Sequence, residues 1–199
     1  LLAILMQQEL INKINRAEVV AFRCIMAIEF FEAVTGKEKG HEFWSFSQNC
    51  LGEVACLLWC HVFNTYSDEL HYKNIFDETG ASAFGNKFTY SNVQTRLRAC
   101  INLSEEEYEE FRREVVTVRD KYIAHKETTP APLKFPRIFL MKAMCLELRD
   151  VFAELFEIAY QSDSNNLEYD KWRDYYKSKT RENILKRFAK DLKNAGITG

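Results

Sequence analysis

The chain has 199 residues, 47% of them hydrophobic and 14% aromatic, with fifteen Phe and nine Tyr against only seven Gly and three Pro. That composition excludes a disordered chain and predicts one compact, mostly helical domain with a substantial core. A formal net charge of −2 excludes a uniformly basic nucleic-acid binder, so any positive field has to be local.

Ala17, Val20, Ala21, Cys24, Ile28 and Phe31 recur at steps of three and four, which predicts a first helix over about 3–34, closed by Gly36 and Gly40. A second helix is predicted from about Glu42 to Tyr66. Leu51, Val54, Ala55, Leu58 and Val62 form its stripe, and Trp44, Phe46, Leu57, Trp59 and Phe63 widen it, as in a helix buried on two sides. Asp68 to Phe76 reads as a short helix, Glu78 to Asn86 as a loop, and 91–101 as another short helix.

Ser104 and Glu107 have the S-x-x-E spacing of a capping box, in which each side chain satisfies a backbone amide near the other. Tyr108, Phe111, Val115, Val118 and Tyr122 continue from it, so a long helix is predicted to about Lys126, stopped by the Thr-Thr-Pro-Ala-Pro stretch from Thr128. After Pro136 the pattern is helical again to about Gln161, with Phe139, Met144, Leu148, Val151, Phe152 and Leu155 on the inner side. Following a polar break at 162–166, a last helix is predicted over about 168–194. The expected architecture is all-α: an antiparallel helical bundle over 1–162, with 163–199 a C-terminal helical extension packed on the same domain.

No apolar run reaches the length of a membrane span, and the stretch Leu1 to Met6 is far too short, so no membrane is expected. The chain opens on Leu1 rather than Met, which leaves any upstream segment open. Cys24, Cys50, Cys56, Cys60, Cys100 and Cys145 lack the two close ligand pairs of a zinc site, although Cys56 and Cys60 share a face beside His61. Free buried thiols are the expected state, and they suit a reducing cytoplasm. No cofactor or metal is expected, there being no phosphate-cradling glycine loop, nucleophile elbow or zinc-protease motif.

The chemistry concentrates in Arg119-Asp-Lys-Tyr-Ile-Ala-His125-Lys126. This segment resembles the Arg-x(4–6)-His signature of the HEPN superfamily (higher eukaryotes and prokaryotes nucleotide-binding), in which a polar residue such as Asp120 often follows the Arg. Trp59 to Asn64 and His71-Tyr-Lys73 also look like the second-helix region of uncharacterised bacterial HEPN-like proteins, so the resemblance spans roughly 10–160. It departs from the His-x-Tyr toxin branch at Glu127.

The resemblance implies a metal-independent endoribonuclease acting on RNA in bacterial defence or as a toxin, with an antitoxin or regulatory protein as a further partner. Arg119 and His125 would be catalytic, with Asp120, Lys121 and Lys126 supporting. Histidine titrates near neutrality and can move the protons of 2′-hydroxyl attack, and the arginine fork fits phosphate oxygens. Near a helix C-terminus His125 would favour its protonated form, which suits a general acid. Six residues of ideal helix rise about 9 Å and turn about 240°, setting the two side chains about 120° apart. A homodimer pairing two such motifs would supply two of each, and this helix is expected at its interface.

The rival reading makes His125 a helix cap and Arg119 a snorkelling surface residue, in a non-catalytic module that binds a partner protein or nucleotide. In the last helix nine basic residues lie between 171 and 193 with Trp172, Tyr175 and Tyr176 among them. These residues form either an RNA-facing strip or a solvated face over packed aromatics. His41, His61 and His71 are scattered along the sequence and receive no ligand role.

Overall fold

A computed structural model describes residues 2–35, 42–78, 81–120 and 135–161, with the single positions Lys186, Ala189, Lys190, Lys193 and Asn194. Among them the secondary structure is helical, without strands: α1 (Leu2–Val34), α2 (Glu42–Phe63), α3 (Tyr72–Glu78), α4 (Tyr90–Ile101), α5 (Glu105–Val118) and α6 (Ile138–Gln161). The chain is therefore an all-α bundle. The predicted helix over 168–194, the extension over 163–199 and the glycines at 36 and 40 lie outside the described residues, save for the five positions named. No helix among the described residues is long and apolar enough to cross a membrane.

The longest helix, α1, packs along both α2 and α6, while α6 also meets α4 and α5 lies on α2. Small residues make the first of these contacts close: Ala17, Ala21 and Cys24 are wholly buried opposite the wholly buried Ala55. The Cys24 thiol donates to the Ala55 carbonyl at 3.4 Å. Around that seam Trp59 stacks on Phe63 with ring centres 5.1 Å apart and meets the edge of Phe111 of α5 at 5.4 Å. Each such buried aromatic contributes about 1.5–3 kcal/mol.

Charge pairs register α6 against its neighbours. Arg149 donates from Nε and Nη2 to Glu18 Oε1 of α1, at 2.9 and 2.6 Å, with both side chains almost fully buried. Lys142 bridges Glu29 and Glu32 of α1 at 3.0 and 2.6 Å. On the other side Arg96 of α4 reaches Glu147 and Glu154, and Lys87 reaches Glu154 at 2.8 Å. Removing one partner of a buried pair such as Arg149–Glu18 strands the other charge, at a cost of about 3–5 kcal/mol.

Several sequence expectations need correction. In α2 the core face is centred on Ala55, Cys56, Trp59, Cys60, Val62 and Phe63, whereas Phe46, Val54 and Leu57 are exposed, so this helix is not buried on both sides. The apolar run there is wider than its contacts with α1, α5 and α6 require. Phe139, expected inside α6, is also exposed, because the inner face of that turn is taken by Ile138, Leu140 and Met141. The expected loop of Glu78 to Asn86 includes one 3₁₀ turn, Ala81–Phe84, and runs into a second, Asn86–Phe88, which buries Ala81 and Phe88. The short helix expected from Asp68 begins only at Tyr72, since the preceding residues form turns.

Candidate active site

Where α2 and α5 end, their last turns meet. Ser104 and Glu107 form the expected capping box: the Ser104 amide donates to Glu107 Oε2 at 2.8 Å and the Glu107 amide to Ser104 Oγ at 3.3 Å. Those bonds hold the Glu107 carboxyl below its ordinary pKa. From this cap α5 buries Tyr108, Phe111, Val115 and Val118 at alternating steps of three and four, which fixes where its end comes to lie.

Arg119 keeps right-handed helical geometry at that end, and its amide donates to the carbonyls of both Val115 and Val116. Residues 119 and 120 are π-helical. His125, Lys121 and Lys126 lie outside the described residues.

The Arg119 guanidinium bridges two elements. Its Nε donates to Asp120 Oδ1 at 2.8 Å, and one terminal nitrogen donates to Thr65 Oγ1, beyond the end of α2, at 3.3 Å. About a quarter of the side chain is exposed. The Asp120 hydrogen bond is the main influence raising its pKa, so the cation is permanent. Asp120 thus holds the Arg119 guanidinium. Burial pushes the neighbouring Cys60 thiol up to about 11 despite the pull of Arg119. At neutral pH Cys60 is a thiol, not a nucleophile.

Two turns of α5 earlier, Arg112 donates to Asn64 Oδ1 at 2.5 Å and to Glu109 at 2.9 Å. Two arginines of α5 and its C-terminal cap thus reach the turn after Phe63. That turn is shaped by the amides of Asn64 and Thr65, which both donate to the Cys60 carbonyl, at 3.1 and 2.9 Å.

Two histidines have distinct surroundings here. His61 Nδ1 lies 2.5 Å from Asp68 Oδ2, and Asp68 Oδ1 accepts the Leu70 amide at 2.8 Å. His71 has no exposed surface and stacks between Tyr66 and Tyr72, with ring centres at 4.7 and 4.9 Å. Its Nδ1 accepts the Lys73 amide at 3.1 Å, and burial pulls its pKa down to about 4, so the ring is neutral. Lys73 Nζ stands 5.8 Å from the rings of both Tyr66 and Tyr90, a cation among aromatics at the rim of the same corner.

Sequence alone assigns no functional role to His61, Asp68 or Thr65, Asp68 being only the expected start of a short helix. Seven residues separate His61 from Asp68 across a helix end, so no helical spacing links them; the only sequence signal was an Asp in the turn after a helix. Among the described residues no group of three or more His, Cys, Asp or Glu is placed to hold a metal ion. No family model matches this chain, and neither a curated protein nor a solved structure matches it.

Proposed function

We propose that this chain is a metal-independent endoribonuclease of HEPN type, acting on RNA in bacterial defence or as a toxin, with a composite site at a homodimer interface. The observation that carries the reading is the Arg119 fork, permanently charged and partly exposed, oriented by Asp120 and Thr65 at the meeting of two helix ends. Such a cation suits the charge that builds on the phosphorane during attack by a 2′-hydroxyl. His125 delivers a proton to the leaving 5′-oxygen, and Lys121 and Lys126 add phosphate contacts. Asp120 is a positioning residue. All six cysteines are free thiols, which supports a reducing cytoplasm, where an antitoxin or regulatory protein is a further partner.

In the presence of EDTA, purified protein is expected to cut single-stranded RNA and His125→Ala to lose that cleavage. Equal residual cleavage by both proteins would contradict the reading.

A second reading has an observation of its own. Asp120 and Thr65 occupy two nitrogens of the Arg119 fork, which supports a structural arginine in a non-catalytic module that binds a partner protein or nucleotide. RNA or nucleotide binding without cleavage would favour that module.

A further inference from the structure

The turn after α2 meets a different cation at each of three consecutive residues. Asn64 Oδ1 accepts from Arg112 at 2.5 Å, Thr65 Oγ1 accepts from Arg119 at 3.3 Å, and the Tyr66 ring centre lies 5.8 Å from Lys73 Nζ. Asn74 Nδ2 ties this turn to α3, donating to the Tyr66 and Asp68 carbonyls at 2.9 and 2.7 Å. Arg112 and Arg119 each hold a carboxylate, Glu109 and Asp120 respectively. Lys73 does not: among the described residues its ammonium meets the Tyr66 and Tyr90 rings and no carboxylate.

Tyr66 is 54% exposed, although the buried His71 ring lies 4.7 Å from its own. The second ring beside Lys73 is held in place, since Tyr90 Oη accepts from Gln94 Nε2 at 3.0 Å and its ring lies 5.2 Å from that of buried Tyr72. An exposed aromatic surface beside an ammonium without a carboxylate suits an unstacked base and its phosphate. Duplex RNA keeps its bases stacked inside, so the fit is to a single strand. Phe46 is more exposed, at 68%, but stands on α2, which contains no Lys or Arg.

We propose that Tyr66 and Lys73 bind one nucleotide of a single-stranded RNA, its base stacked on the Tyr66 ring and its phosphate on the Lys73 ammonium. The inference rests on the reading above for RNA as the ligand, and binding itself requires no cleavage. The residue before Tyr66 is Thr65, the contact of Arg119, so this surface and the arginine fork belong to one turn.

The test measures binding of a fluorescein-labelled 2′-O-methyl oligouridylate, which 2′-hydroxyl attack cannot cut, by fluorescence anisotropy over a range of salt concentrations. Far-UV circular dichroism confirms that each variant is folded. Tyr66→Ala is expected to weaken binding about five- to a hundredfold, the worth of one stacked base. Tyr66→Phe keeps the ring and is expected to bind as the wild type does. Lys73→Gln is expected to weaken binding and to make the slope of log affinity against log salt shallower by about 0.7, the value for one phosphate of a single strand. Phe46→Ala is expected to leave binding unchanged.

Wild-type affinity in Tyr66→Ala, or an unchanged salt slope in Lys73→Gln, would overturn this inference alone. An equal loss in Tyr66→Ala and Phe46→Ala would overturn it too, since any exposed ring would then serve. Wild-type protein that binds no oligonucleotide would end both this inference and the ribonuclease reading. The expected losses in Tyr66→Ala and Lys73→Gln, with no cleavage of unmodified RNA by the wild type, would keep this site and remove the ribonuclease reading.

Discussion

His71 is a buried neutral imidazole within a charged corner. In the unfolded chain its pKa returns to about 6.5, whereas burial holds it at about 4 in the fold, with Asp68 pulling up and Lys73 and Arg112 pulling down. The unfolded state therefore binds more protons between these values. Stability from this residue is complete above pH 6.5 and is lost as pH falls towards 4. At about 1.4 kcal/mol per unit the loss approaches 3 kcal/mol. Urea unfolding at pH 7 and pH 4.5 is expected to show a drop in stability that His71→Asn reduces by about this amount. An equal drop in both proteins would contradict the burial argument. His71 was not legible in the sequence, because a lone histidine gives no sign of being stacked between two tyrosines.

Among the elements, α5 was the most legible. Its capping box is a local pairing of two side chains with nearby amides, and its apolar stripe has one face, so both follow from spacing alone. The second helix was less so. Apolar residues surround α2, and only the positions of α1, α5 and α6 decide that Ala55 and Trp59 face inward while Val54 and Leu57 face outward. Likewise the His61–Asp68 pair depends on how the chain turns after Phe63, which no period encodes.

Packing also explains the buried Gly52 of α2. A Cβ there would lie 2.4 to 2.7 Å from three ring carbons of Phe135, whose ring meets Phe31 edge-on at 5.3 Å. Gly52→Ala gains about 1 kcal/mol in helix propensity but overpacks at a cost of about 1–3 kcal/mol. The expected result in chemical unfolding is a net loss in the native background and a neutral or stabilising effect in Phe135→Ala. Stabilisation by Gly52→Ala with Phe135 present would show that the ring yields freely.

For the molecule as a whole, the bundle positions its chemistry at one corner. Buried and surface ion pairs hold α6 against α1 and α4, and the core aromatics of α2 and α5 set where those helices end. A net charge of −2 hid a local gathering of Lys73, Arg112 and Arg119 around the turn after α2. Phe46, Val54 and Leu57 leave apolar surface exposed on α2. The most direct test of the central claim is single-turnover cleavage of a single-stranded RNA in EDTA by wild-type and Arg119→Gln protein, with thermal melting measured on both. The account predicts a loss of at least about a hundredfold with a melting temperature little changed, since this arginine is partly exposed. Cleavage at the wild-type rate by folded Arg119→Gln would contradict it.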